Sequence, residues 1–465
     1  MKILLSPRHV RGMTYATVIV AMITIGSLLA AYLKLVGVQN QLVARSQTWN
    51  RAVPILESGI EEAIAHLNKN GSPDTTGIVN LGALATDGWT NYASPNGPWY
   101  KFGWMGGDFY YVSISAWNGN PAQTPSINAT GWVKQLPAFA FRGQAGPMLA
   151  QNEPTFTGFS RRMVACTTTN NPVFNKGLIA RYGIDMNGNN VTVDSYDSSN
   201  PAFSTNGRWD VTKRRARGDI ASNDTITNTV SVGNANIWGR LATGPGGTAS
   251  IGPNGKVGDA AWQASGSGIK PGYFTDDMNV EFPDVVLPAG SAGWLPPLNG
   301  PNYTLTSGDY RLDSQLSGKI VVAPNANVRL LLKAGIRFNG QDSLTISSNA
   351  NLKIYLDCPS AAITGQGIVG QGIANNSGTP NQCQIYGTSL LTDLDIGGNG
   401  EATCVVYAPY ANVKLHGGGN SDQDFSGALI AKTFTFTGHY NIHYDEALGR
   451  MGLWRGFTIT SWNER

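Results

Sequence analysis

A mainly β protein carried on one long N-terminal helix is the fold class this sequence predicts. Three features predict it. An uncharged apolar run stands near the start, a helical stripe continues it, and beyond residue 71 short strands alternate with Gly, Asn and Pro. Only 14% of the 465 residues are charged, against ~25% in an average soluble domain, and 57 Gly fill much of the gap. A disordered chain would share that polarity but not the 12 Trp, 17 Tyr and 15 Phe, so the body is folded. Such a length suits two or three domains. The expected order is a basic leader at 1–12, a helix at 13–70 and a small β domain at 71–174. A β-solenoid of the right-handed parallel β-helix type follows in two parts, 175–261 and 302–448. A Pro-rich excursion at 262–301 separates them, and 449–465 form a tail.

The anchor comes first. Residues 13–33 carry no charge, and twenty-one residues at ~1.5 Å each span the ~30 Å hydrocarbon core of a bilayer. Lys2, Arg8 and Arg11 precede the run, so the short N-terminus stays cytoplasmic and the body lies outside. A cleaved signal peptide shares the basic start. Its apolar region is shorter, however, and no A-x-A site follows before Lys34. Beyond the run, Leu42, Trp49, Val53, Leu56, Ile60, Ile64 and Leu67 make one apolar stripe, with Pro54 placed to kink the helix. A helix apolar all round in one half and striped in the other suits side-by-side packing with copies or partners.

Arg11-Gly12 before a long apolar helix resembles the start of type IV pilin-like proteins, whose leader peptidase cuts after the Gly. Leu56-Glu57-Ser58-Gly59-Ile60-Glu61-Glu62-Ala63 resembles the E-S-G-x-x-E-A stretch of PilX-type minor pilins. The resemblance covers residues 8–68. It implies processing between Gly12 and Met13 and assembly through the helix. Major pilins carry Glu at the fifth position after the cut, and here Thr17 stands there, which implies a minor or pilin-like member. The stretches Phe425–Ile430 and His443–Leu448 resemble an uncharacterised bacterial domain found behind PilX-type N-termini.

Short alternating runs such as 109–115 predict the small β domain. From Asn175 onward strands shrink to three to five residues between Asn-Gly and Ser-Gly corners, the pattern of stacked coils. One repeat is explicit. Ala323-Pro324-Asn325-Ala326-Asn327-Val328-Arg329-Leu330 recurs 85 residues later as Ala408-Pro409-Tyr410-Ala411-Asn412-Val413-Lys414-Leu415. Both octets are expected to make the same corner, with Val328 and Val413 pointing inward and Arg329 and Lys414 outward. A β-sandwich is the alternative, with longer and more evenly spaced strands.

The search for chemistry yields no site. Asp185, Asp194, Asp197, Asp422, Asp424, Asp445 and Glu446 are the acids a glycosidase or lyase would draw on, but such residues more often cap turns. His439 and His443 read as structural. Asp185-x-Asn187-x-Asn189 echoes a calcium loop without its closing Glu, since Tyr196 stands at that position. The run 213–217 reads as a solvated basic corner rather than an anion grip. Neither a phosphate loop nor a nucleophile elbow occurs, and no cofactor is expected. Cys166, Cys358, Cys383 and Cys404 lack metal-ligand spacing. Within Cys358, Cys383 and Cys404 either one disulfide or buried free thiols is expected. A net charge of +3 gives no reason to expect a nucleic-acid partner.

The expectation is a non-enzymatic, pilin-like structural or assembly protein. It crosses an inner membrane once, partners pilin-type assembly proteins or its own copies through the helix, and is displayed at the cell surface or in a pilus. Its solenoid serves as spacer, display or adhesive surface for a glycan or other surface ligand. An anchored carbohydrate-active enzyme or lectin-like protein is the alternative.

Overall fold

The structure is a computed structural model that describes residues 11–71, 88–91, 98–117, 123–134, 159–188, 191–297, 302–338, 342–365, 372–375, 378–398, 401–417, 424–450 and 454–464. The leader up to residue 10 lies outside these. Two compact units divide the chain: residues 1–73, 78–170 and 457–465 make one, and 74–77 with 171–456 make the other. The second unit is thus inserted into the first.

In the first unit a single helix, α1 (Arg11–Gly71), runs unbroken through Pro54. Its N-terminal half is uncovered, with Ile23 65% exposed and Tyr15, Leu28 and Leu33 comparable. The stripe of its second half enters a core, where Leu56, Ile60, Ala63 and Leu67 are buried with Val112, Ile114, Ile127 and Ala129. The partner is a sheet of strands Thr90–Asn91, Trp99–Met105, Asp108–Ser115, Ser126–Lys134, Phe159–Pro172 and Trp454–Glu464, in that order. The first five pair antiparallel. Gly59 and Gly131 set the closeness of helix and sheet. A Cβ on Gly59 would stand 2.8 Å from the Tyr110 ring, and one on Gly131 would stand 2.9 Å from the Ala52 carbonyl oxygen. Glu62 takes hydrogen bonds from Lys101 and Tyr110.

The last strand corrects the expected tail at 449–465. Phe457 is buried against Trp117, its N–H donates to Asn68 Oδ1 at 2.5 Å, and Thr167 meets Ser461. An apolar residue with a free backbone edge completes a sheet rather than trailing in water.

The second unit is built from parallel strands in three ladders. The first ladder stacks Gly308–Leu312, Asn327–Leu332, Asn351–Leu356, Cys383–Gly387, residues 405–408 and 428–431, Leu178–Ala180, Ile220–Ser222, Leu241–Ala242 and Phe274–Thr275. The second takes Ser360–Gly365, Asp393–Gly398, residues 412–417 and 433–438, Ile184–Asp185, Val230–Ser231 and Ala249–Ser250. On the third, Tyr303–Leu305, Lys319–Val322, Ser343–Ile346 and Gly372–Asn375 form one stretch. Residues 402–404 and 425–427, Ile442–Asp445, Thr192–Tyr196, Asn236–Trp238, Lys256–Gly258 and Gly268–Ile269 form another. From 178 to 258, and again from 303 to 445, the chain visits the ladders in one cyclic order. Inward Val, Leu and Ile from all three share a single core.

The order along the stack is not the order along the chain. Leu178 pairs with Leu429 and Val193 with Ile442, so the first coil rests on the last one. The chain enters mid-stack, winds to one end, crosses to the other end and winds back.

The crossing corrects the excursion expected at 262–301. Residues 268–269 and 274–275 still belong to ladders. From Met278 the chain is a strap down the outer face of the first ladder. Met278 N–H donates to the Thr243 carbonyl, and Val280 exchanges two hydrogen bonds with the Asn223 side chain. Tyr407 donates to the Pro283 carbonyl at 2.7 Å, Trp294 lies under Arg329, and Arg311 N–H meets the Leu295 carbonyl. Pro283, Pro288, Pro296 and Pro297 have no N–H to offer a sheet, which favours an extended cover over an added strand.

The two octets are corrected in part. Val328, Leu330, Val413 and Leu415 are buried, as alternation requires. Their corners differ, because Val328 stands on the first ladder and Val413 on the second. The coil that matches the first octet begins 24 residues later. There Asn349 repeats the left-handed Asn325 (φ 57° and 59°), and Asn351 donates to Asn327 at 2.9 Å. Leu352 pairs with Val328.

Candidate functional site

The seam between first and last coils gathers most of the acids singled out in the sequence. Val193 and Ile442 point into the core, so the next residues, Asp194 and His443, face outward. A long connection, residues 197–219, folds back over them and makes an antiparallel bridge between Ser195 and Arg215. It begins its return with a turn of 3-10 helix, Val211–Lys213, whose Thr212 N–H the Asp210 carboxylate caps. Hydrogen bonds from Thr205 and Thr212 pull the Asp210 carboxyl down to about 2.

Beneath this connection the charges are matched. His443 Nδ1 lies 2.6 Å from Asp194 Oδ1, and its ring stacks on Trp209 at 3.8 Å. Arg214 stands 3.8 Å from Asp194 Oδ2 and over the Trp238 ring. Glu446 accepts from Ser195 at 2.9 Å and pairs with Arg215 and Arg217 at 3.2 and 3.3 Å. Asp197 receives Arg450 on both oxygens at 2.7 Å. Burial pushes the Asp197 carboxyl up, but the hydrogen bonds from Arg450 and Ser199 outweigh it and hold it below the usual range. Asp445 goes the other way, raised by burial more than the bonds from Ser198 lower it. The basic run at 213–217 is therefore a solvated corner only at Arg217, since Arg214 and Arg215 reach the buried acids Asp194 and Glu446 while Arg217 meets Glu446 from the exposed edge.

Asp194, Asp197, Asp445, Glu446 and His443 thus converge, although the sequence showed no link between residues some 249 apart. Asp185 is elsewhere, on the second ladder, accepting the Asn187 N–H as a turn cap; Asn189 lies outside the described residues. Asp424 accepts the Asn441 N–H at 2.7 Å with His439 at 4.0 Å, and Asp422 lies outside the described residues. No group of three or more metal-ligating side chains occurs among the described residues. All four cysteines are buried free thiols. Cys383 and Cys404 stand on neighbouring coils in contact, and Cys358 sits at another corner.

The arrangement is that of a clasp. Its acids have their partners within the seam, Asp194 Oδ2 with Arg214 at 3.8 Å and without a hydrogen bond among the described residues, and its histidine is 1% exposed between a carboxylate and an indole. Beside the clasp an open cleft of about 420 Å³ is lined by Arg217, Arg240, Tyr273, Tyr444, Glu446 and Arg450, among others. Arg240, Tyr273 and Arg450 were not foreseen, the last because its segment read as tail.

A family described as a domain of unknown function, DUF7305, matches residues 290–451, about a third of the chain. Those bounds hold the coils from Tyr303 to Asp445 and end at the clasp. No curated protein matches the chain. Among solved structures the competence-associated pilin ComZ from Thermus thermophilus is similar at 11% identity and a TM-score of 0.23, over 90% of this chain and 98% of that one.

Proposed function

We propose that the protein is a membrane-anchored, pilin-like structural or assembly subunit that holds a β-solenoid body outside the cytoplasm as a spacer or adhesive surface. The observation that carries this reading is the division of α1. One half is apolar and uncovered over the length of a bilayer, and the other half is the core of the antiparallel unit. A helix that needs lipid or neighbouring helices around one half and a sheet around the other fits anchoring followed by lateral assembly. Catalysis has no part in the proposed role, because the clasp acids serve the seam.

Processing between Gly12 and Met13 belongs to the same reading, resting on Arg11-Gly12 ahead of the apolar run. N-terminal sequencing of the protein from its native membrane should return Met13. An intact Met1, or a terminus after Ala30, would remove the pilin-type pathway. Ile23→Arg should cost ~2.5–3.5 kcal/mol of insertion at mid-helix and move the protein out of the membrane fraction. Unchanged fractionation would mean that something other than α1 holds it there.

A further inference from the structure

We propose that the cleft beside the clasp binds an acidic saccharide, holding its carboxylate on Arg217, Arg240 and Arg450. The inference goes beyond the anchored-subunit reading, and neither depends on the other.

Three arginines, Arg217, Arg240 and Arg450, line one open cleft of sugar size. Arginine stays charged at any physiological pH, and its planar fork fits a carboxylate by two parallel hydrogen bonds. Two of these groups are underused. The Arg217 side chain is 67% exposed and meets Glu446 only at 3.3 Å. Arg240 has its guanidinium 5.4 Å from the Tyr273 ring centre and forms no ion pair among the described residues. With the paired neighbours of the lining counted, Lys176, Arg215, Arg217, Arg240 and Arg450 face Asp197, Asp219 and Glu446, leaving an excess of positive charge.

The carboxylates in the lining narrow the ligand class. Asp219 and Glu446 accept hydrogen bonds and repel a bare or multiply charged anion. Arginines beside such acceptors suit one molecule that carries both an oxyanion and hydroxyl donors, as a hexuronate does. The Glu446 end is rigid, because that residue is held by Ser195, Arg215 and the strand next to it.

The test is titration calorimetry on the full-length chain in detergent at low salt, with glucuronate, glucose, glucose 6-phosphate and inorganic phosphate. Glucuronate should bind at least about tenfold tighter than glucose, and tighter than either phosphate, with affinity falling as salt rises. Arg240→Gln and Arg217→Gln should each weaken it by about tenfold or more, while Lys414→Ala, on another face, should not. Thermal unfolding of each variant checks that it folds. Equal binding of glucuronate and glucose, or undiminished binding by both arginine variants, would overturn the site. Tighter binding of glucose 6-phosphate or inorganic phosphate would overturn the carboxylate assignment.

Discussion

The outer faces of the first and second ladders share one core and one backbone pattern, yet they meet water in opposite ways. Outward on the first ladder, Leu331, Tyr355, Tyr386, Tyr407, Ile430 and Ile179 form a continuous apolar row, buried under the Pro-rich strap. In the same direction on the second, Arg337, Ala362, Asp395, Lys414, Thr435 and Asp185 line up uncovered, above a shallow groove of about 460 Å³. Parallel pairing itself therefore asks only for the inward row. The outward row records what lies on top, a second apolar layer in one case and solvent in the other.

The inward residues should matter equally under both faces. Val328→Asp and Val413→Asp each place an unpaired charge in the core and should cost more than ~4 kcal/mol, enough to abolish cooperative melting of the second unit. A tolerated charge at either valine would mean that ladder is not part of the shared core. Next in size is the covered row. Tyr386→Ala should cost ~3–5 kcal/mol and make residues 276–297 the first site of limited proteolysis. Loss of stability with no new cleavage there would separate the aromatic row from the strap.

Arg329 tests the boundary of the covered face. It points outward as Lys414 does, but it makes a two-pronged pair with Asp309 at 2.6 and 2.7 Å and lies over Trp294. Arg329→Ala should cost ~1 kcal/mol, whereas Lys414→Ala on the open face should stay within ~0.5. Equal melting shifts would erase the distinction drawn between the faces.

At the seam the third ladder is intermediate, polar but sealed by ion pairs, and pH is the way to probe it. The folded Asp197 carboxyl titrates below its ordinary 3.8, so its contribution is present above that value and lost as pH falls below it. Melting temperature followed from about pH 5 to 2 should drop less steeply in Asp197→Asn than in the parent. Parallel curves would show that the Arg450 pair adds nothing to the seam.

How much of this was legible in the sequence follows from the range of each cue. Local period fixed α1 and the inward direction of Val328 and Val413, because alternation is a property of neighbouring residues. Alternation cannot say which ladder a strand joins, so the two octets were equated across 85 residues. The better match, Asn325-Ala326-Asn327 against Asn349-Ala350-Asn351, lies closer, 24 residues apart, but is shorter than the octet. The last strand was visible too, with Phe457 and Ile459 two apart, but no partner nearby announced a sheet. The clasp was beyond reach, since its arginines read as surface until the acids they neutralise are placed under them.

Because the opening coil rests on the closing one, folding of the second unit cannot follow the order of its synthesis. Once Leu178–Ala180 and Thr192–Tyr196 have emerged, their free edges must wait for Leu429 and Ile442. At ~5–20 residues per second that delay is some tens of seconds, during which an unpaired parallel edge invites wrong partners. Pairings of such long sequence separation form slowly in any case. The nascent chain therefore has a window of vulnerability set by its topology, and a chain truncated before residue 425 would never leave it.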